Sequence, residues 1–499
     1  MNHSRRLLVW PIVRFATLAA LAACLAAGCG DDLRPRSTPS TPDAAVVGET
    51  PTTFTFPSRF VDGESSVDYS GQIFRHVLVE EMVAYLESLT DDIDSVTLTP
   101  SAGEIELGLN FYYEFDDSTS ADVALVMATT PALAQGAYRD IASGKTLTEK
   151  IAGNDPVGQH KDWATGFVGW DADGVTSPES LVRHWFGALD QLAVDRAAGT
   201  YPQDPDGADI TRVYVTAEGQ DLRQLIQKFL LVSIALSQGL DDYLDDATAD
   251  KGLNSSNQRD GDNPYSALEH SWDEGFGYFG AARDYNGYSD DEIAGAGGRD
   301  EYERGYFDTS GDGKIDLGSE FNFGHSVNAA KRDLGSSETA PTDYTKEIFS
   351  AFLAGRAIIS NADGELTEEQ RAALIAERDI IAKGWESVIA ANVVHYINET
   401  LRDMNVFGSD DYDFVAHAKH WSELKGFALG LQFSPFSPLA DAKFAELHQH
   451  LGTAPVLPSA DSADITAYRQ ALLDARTLVG EAYSFDASNL GDNNGENGW

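Results

Sequence analysis

The chain is poor in cysteine, in cations and in apolar runs of membrane length. Of its 499 residues only two are cysteines, Cys24 and Cys29. Everything beyond residue 29 therefore lacks disulfides, a thiolate nucleophile and sulfur ligands for zinc or iron–sulfur chemistry. A domain of this size can bury enough apolar surface without covalent staples. Lys and Arg number 35 against 80 Asp and Glu, a formal charge of −45. Such a surface repels nucleic acid and anionic headgroups, which makes both poor partners. Its plainest cause is a solvated acidic exterior suited to saline surroundings. The common hydrolase signatures HExxH and GxSxG are missing. Gly144-Lys145-Thr146 looks like the end of a phosphate-binding loop, but Arg139 stands at its first glycine position. The glycines at 295, 297 and 298 follow no expected strand, so a dinucleotide site is not expected either.

What is present begins with an export signal. Arg5, Arg6 and Arg14 precede the uncharged apolar run Phe15–Gly28. The run is shorter than the roughly 20 residues of a membrane span and fits the apolar region of a signal peptide. A longer span over 7–28 would bury Arg14 at a cost of about 2.5 kcal/mol or more. The run ends in Leu25-Ala26-Ala27-Gly28-Cys29, which resembles a lipobox. Leu21-Ala22-Ala23-Cys24 is the alternative, but it would leave Leu25-Ala26-Ala27 on the mature end. Lipidation is thus expected at Cys29, with more than one acyl chain holding the protein to a membrane. Gly30 in the second mature position lacks the inner-membrane retention aspartate, which tilts the expectation towards the outer membrane; Asp31 keeps that tilt slight. Residues 1–28 are read as signal and 29–57 as a tether rich in Pro, Ser and Thr. A helical domain over 58–485 and a flexible Asn/Gly-rich tail over 486–499 complete the chain.

Phe54–Ser70 alternates enough for a short strand or an extended arm. From Gln72 onward, Phe74, Val77, Leu78, Met82, Tyr85, Leu86 and Leu89 recur at helical steps. Ser177-Pro178-Glu179 reads as N-cap, first-turn proline and first-turn acid of a helix to about Ala198. Asp221–Asp246 is apolar on most faces, as expected of a central helix. Thr367-Glu368-Glu369-Gln370 is a capping-box pattern opening a helix to about Asp403. Helical spacing continues over Asp411–Gln432, Ala440–Leu451 and Ala463–Tyr483. The fold class expected is mainly α, antiparallel helices around a shared core, with long Asp/Gly-rich loops at Asn254–Asn263 and Tyr285–Glu320.

Three groups of residues carry candidate chemistry. Asp308, Ser310, Asp312, Lys314 (through its carbonyl) and Asp316 have the spacing of an EF-hand-like calcium loop, with Gly313 at the tight turn. Ser319 stands where a bidentate glutamate is needed and Glu320 comes one residue late, so a structural calcium site and a plain acidic turn both remain open. In Leu268–Tyr278, His270 and Glu274 lie one helical turn apart, placed either to hold a transition metal or to bond to each other in the core. His417, His420 and Glu423 share a helical face, and His395 shares one with Asn398 and Glu399. A lone helical histidine is more often a core group than a ligand.

These blocks look familiar together. Tyr69-Ser70-Gly71-Gln72, Glu269-His270-x-Trp272-Asp273-Glu274-x-Phe276-Gly277-Tyr278-Phe279-Gly280, Gly355-Arg356-Ala357-Ile358-Ile359-Ser360-Asn361, Trp385-Glu386, His395-Tyr396-x-Asn398 and His420-x-Ser422-Glu423 resemble, in order, bacterial lipoproteins of domain-of-unknown-function family 4856. That resemblance spans roughly Phe54–Tyr483 and implies no activity. In setting, such proteins are broadly similar to imelysin-like periplasmic helical proteins, which are linked to iron acquisition and carry Gly-x-His-x-x-Glu. Here Leu268 replaces that glycine and Asp273 that glutamate, so the iron link is an analogy.

The expectation is a non-enzymatic, lipid-anchored helical protein that binds iron or a metal-bearing ligand as an accessory to uptake, with a receptor or transporter as partner. His270, Glu274, His420 and Glu423 are candidate ligands for iron or zinc, and His395 an orienting residue. Arg356 is expected either to bind an anionic ligand or to form a buried ion pair with Asp273 or Glu386. A metal-dependent hydrolase, with Glu274 or Glu423 activating a metal-bound water, and a structural or interaction lipoprotein whose histidines are core groups are the alternatives.

Overall fold

A computed structural model describes residues 50–499. The signal, Cys24, Cys29 and most of the tether lie outside the described residues. Within them there is no strand, only isolated bridges such as Pro57 with Ser65, and the fold is mainly α. The longer helices are α1 (Ser70–Asp94), α2 (Glu104–Tyr113), α3 (Pro178–Ala197), α4 (Leu222–Leu230), α5 (Ala267–Phe279), α6 (Gly324–Leu334), α7 (Tyr344–Asn361), α8 (Glu368–Asn405), α9 (Phe414–Gly430), α10 (Asp441–Leu451) and α11 (Ser462–Tyr483).

Local chemistry sets their ends. Ser177 Oγ accepts from the Ser180 amide and Pro178 fills the first turn of α3, where a missing N–H costs nothing. At the start of α8, Thr367 Oγ1 accepts from Gln370 N (3.2 Å) and Gln370 Oε1 accepts from Thr367 N (3.0 Å), so two otherwise unpaired amides are satisfied. Its 38 residues make α8 about 57 Å long. From Trp385 to Leu401 it is buried on nearly every face, because α6, α7, α9 and α11 all pack along it. Asp221 caps α4 through the Gln224 amide, and the chain then widens into π-helix over Leu231–Leu236 and Gly239–Tyr243. Widened turns shift helical register and recur at functional sites. Here Gly239 faces the Trp385 ring so closely that an added Cβ would stand 2.6 Å from it.

Phe54–Tyr69 is an extended arm rather than a strand. Phe54 is buried and stacks on Phe276 at 3.8 Å, and its amide donates to the Arg283 carbonyl. The packed body therefore begins inside the segment read as tether. The other end differs as well. Residues 486–499, expected as a flexible tail, are folded against α8 and α11. Asn398 Nδ2 donates to the carbonyls of Leu490 (3.0 Å) and Trp499 (2.8 Å), and the Trp499 ring is buried. Composition suggested a coil, but the glycines serve a turn in which Asp492 and Glu496 pair through their backbones.

Candidate functional site

The block around His270 lies on α5, which Ser266 and Glu269 open with a reciprocal cap. Glu269 and Asp273 are completely buried, and Arg356 of α7, equally buried, lies between them. Its Nε donates to Asp273 Oδ1 (2.7 Å), Nη1 to Glu269 Oε1 (2.9 Å) and to Ser360, and Nη2 to Ser66 Oγ (2.8 Å). Burial works against ionising Glu269, but Arg356 and the Ser266 amide outweigh it and hold its pKa below the ordinary value. Of the roles open to Arg356, the ion pair with Asp273 is the arrangement present, and its donors are spent on protein partners. Glu386 instead accepts from the Tyr483 hydroxyl at 2.7 Å. His270 stacks on Tyr265 with ring centres 4.5 Å apart, and its Nδ1 is 3.1 Å from the Asp68 carbonyl. That contact fixes the proton on Nδ1 and leaves Nε2 facing Glu274 at 3.8 Å, beyond a direct hydrogen bond. Glu274 accepts from Gln72 at 2.8 Å.

A second and richer group forms where α1, α4, α6, α8 and α9 meet. Helix α8 supplies His395, Tyr396, Glu399, Arg402 and Asp403, and α9 supplies Lys419, His420 and Glu423. Glu80 comes from α1, Lys228 from α4, and Lys331 with Arg332 from the last turn of α6. Lys331 is exposed, yet burial is the first cause of its lowered pKa, followed by repulsion from Lys228. We refer to this junction of helices, which Lys331 joins to solvent, as the cleft. Arg332 lies deeper, 6% exposed, and its Nε and Nη1 have no hydrogen-bond partner among the described residues. Burial pushes this guanidinium down to about 10, against the pull of Tyr396, Glu399 and Glu423. Glu423, also buried, has Lys228 Nζ 3.5 Å from Oε1.

The two cleft histidines carry different charge. His420 Nδ1 is 2.8 Å from Asp403 Oδ2. Burial opposes its protonation, but Asp403, then Glu399 and Glu423, raise its pKa above the ordinary value. His395, 3.8 Å from Glu399, is pushed down to about 2 by burial and by the charges of Arg332 and Arg402, and stays neutral. His417 faces inward, fully buried, 3.4 Å from the same Asp403 oxygen. In a chain of charge −45, the cations Lys228, Lys331, Arg332, Arg402 and Lys419 thus gather opposite Glu80, Glu399, Asp403 and Glu423. The group thus sets an unpaired guanidinium beside a neutral imidazole bonded to the Trp499 backbone and a phenol bonded to Glu423.

His395, His420 and Glu423 therefore share one site, whereas the contacts of His270 and Glu274 lie with the extended arm and α1. Among the described residues, no three His, Cys, Asp or Glu side chains converge to hold a metal ion. In the loop 308–320 the carboxylates turn onto the backbone. Asp308 accepts from the amides of Gly311 (2.7 Å), Asp312 (3.1 Å) and Gly313 (2.8 Å), and Asp312 accepts from that of Lys314 (2.9 Å). Asp316 accepts from the Gly318 amide and the Ser319 hydroxyl. Glu320 is buried and closes the loop from inside, accepting from the amides of Ser310 (2.8 Å) and Asp316 (2.9 Å).

Sequence reasoning found His395, His420, Glu399 and Glu423 and missed Glu80, Asp403 and the cations. The available signal was scarcity: with so few basic residues, the adjacent Lys331 and Arg332 beside the apolar Ala329 and Ala330 were conspicuous.

The family model described as domain of unknown function (DUF4856) matches residues 51–438. The chain belongs to this family. No curated protein and no solved structure matches it. Every cleft residue named above falls within the DUF4856 span, while α10, α11 and the docked C-terminal segment lie beyond it.

Proposed function

We propose that this DUF4856 protein is an exported, lipid-anchored and non-enzymatic binding protein whose ligand is a small anion held in the α6–α8–α9 cleft. The observation that carries the reading is Arg332: a buried guanidinium with Nε and Nη1 donors that no group among the described residues satisfies. Leaving charged donors unpaired costs more than about 1–3 kcal/mol, which a bound carboxylate or phosphate would offset. Lys331 at the rim would draw the anion in, and neutral His395 and Tyr396 would line its sides. Iron enters this reading as an anionic chelate rather than a bare ion, which keeps an accessory role in uptake. A protein with a strongly acidic exterior and one cationic recess selects by charge: an anion is repelled everywhere except at its site.

Thermal melting of the full chain in detergent tests this with inorganic phosphate, citrate and ferric citrate as probes. A ligand at a hundredfold excess over its Kd stabilises by about 2.7 kcal/mol, enough for a clear rise in Tm. At least one probe is expected to raise Tm in a saturable way. Failure of all three at equal ionic strength would remove the reading.

A further inference from the structure

Away from the cleft, α7 and α8 part over one stretch. A cavity of about 480 Å³ lies between them, and its walls include Tyr344, Ala351, Ala354, Glu377, Ile380 and Gly384. Small residues on both helices create the room. Glu377 gives it chemistry: the residue is only 7% exposed, lines the cavity, and has no hydrogen bond or ion pair with any described residue. Its neighbour Arg378 is turned away, bonded to the Leu244 carbonyl and to Asp379. Lys383, on the cavity wall, acts on Glu347 at the mouth. Burial alone pushes the Glu377 carboxyl up to about 7.

A carboxylate held in protein surroundings with no protein partner gains from a counter-ion, and the cavity beside it supplies the place where one fits. The partner must bring a positive charge, and the walls of Ala351, Ala354 and Ile380 require the rest of it to be apolar. The geometry points to a second ligand site, for a small organic amine whose ammonium group is held by Glu377 and whose apolar body lies against Ala351, Ala354 and Ile380. Glu347 at the mouth adds negative potential along the approach. This site shares no residue with the anion cleft and stands independently of it.

Calorimetry of the full chain at physiological salt tests the proposal with hexylamine, hexanol and hexanoate, so that charge and apolar body are varied separately. Hexylamine is expected to bind saturably, and hexanol and hexanoate at least about tenfold more weakly. Glu377→Gln, which keeps shape and removes the charge, is expected to weaken hexylamine at least about tenfold. Ala354→Phe, which fills the cavity, should abolish binding and serves as the deciding variant if Glu377→Gln fails to fold. Arg332→Gln should leave hexylamine binding unchanged. The proposal is overturned by absence of saturable hexylamine binding, by equal affinity for hexanol, or by unchanged affinity in folded Glu377→Gln or Ala354→Phe.

Discussion

Individual charged residues do unlike work here, and their surroundings decide which. Lys425 is completely buried on α9, with Nζ 2.8 Å from His448 Nδ1 and 5.8 Å from the centre of the Trp170 ring. Burial lowers its pKa to about 7. The unfolded chain takes up this proton near pH 10.4, so the charge penalty grows as pH falls from there towards 7 and is complete below. Lys425→Met is therefore expected to be more stable than the natural chain at pH 7, by about 1–2 kcal/mol after the lost His448 contact. That gain should vanish near pH 10.5 in chemical denaturation, and a gain independent of pH would contradict the assignment. Arg356, Lys425 and Arg332 are all buried cations, yet only Arg332 keeps unpaired donors beside a cleft. Nothing in a sequence distinguishes these three, because each depends on what other helices bring. The imidazoles were legible, since His395 with Glu399 and His420 with Glu423 are local pairs on one helix. Lys228, Lys331 and Arg332 join them only through tertiary packing.

Elements were more legible than sites. The caps at Ser177 and Thr367 stand where pattern and residue type place them, because capping is local chemistry. The π-helical turns after Leu230 were not legible: apolar spacing alone does not separate 3.6 residues per turn from a wider turn imposed by a neighbour. Glycine in Gly355-Arg356 has a similarly non-local cause. An added Cβ at Gly355 would lie 2.0 Å from the Trp272 ring, so α7 approaches α5 only without a side chain there. That approach also brings Arg356 to Glu269 and Asp273. Gly355→Ala is expected to destabilise by about 3 kcal/mol despite the helix propensity gained, measured by urea unfolding. A neutral or stabilising result would mean the two helices can separate freely. The loop 308–320 resembled a calcium loop because Asp308, Asp312 and Gly313 make the turn such loops require, and late Glu320 still reaches back to close it.

For the whole molecule, the charge and the proposed membrane address belong together. An acidic body tethered through Cys29 would present a repulsive surface with one cationic recess. Cys29→Ser is expected to abolish fatty-acid labelling and release the protein from membranes, while Cys24→Ser should leave both intact; the reverse pattern would move the anchor to Cys24. Composition made the acidic exterior plain and hid the recess, since a net charge says nothing of how a few cations are grouped. The packed C-terminal segment was hidden for the same reason: Asn and Gly suggest coil, while the buried Trp499 depends on Asn398 and the Arg332 carbonyl. The most direct test of the central claim is calorimetric titration of citrate and phosphate into the natural chain and into Arg332→Gln at constant ionic strength. Saturable binding by the natural chain, weakened at least about tenfold in a variant of unchanged helicity, is the expected result. Equal affinity in the two proteins would contradict an anion site at Arg332.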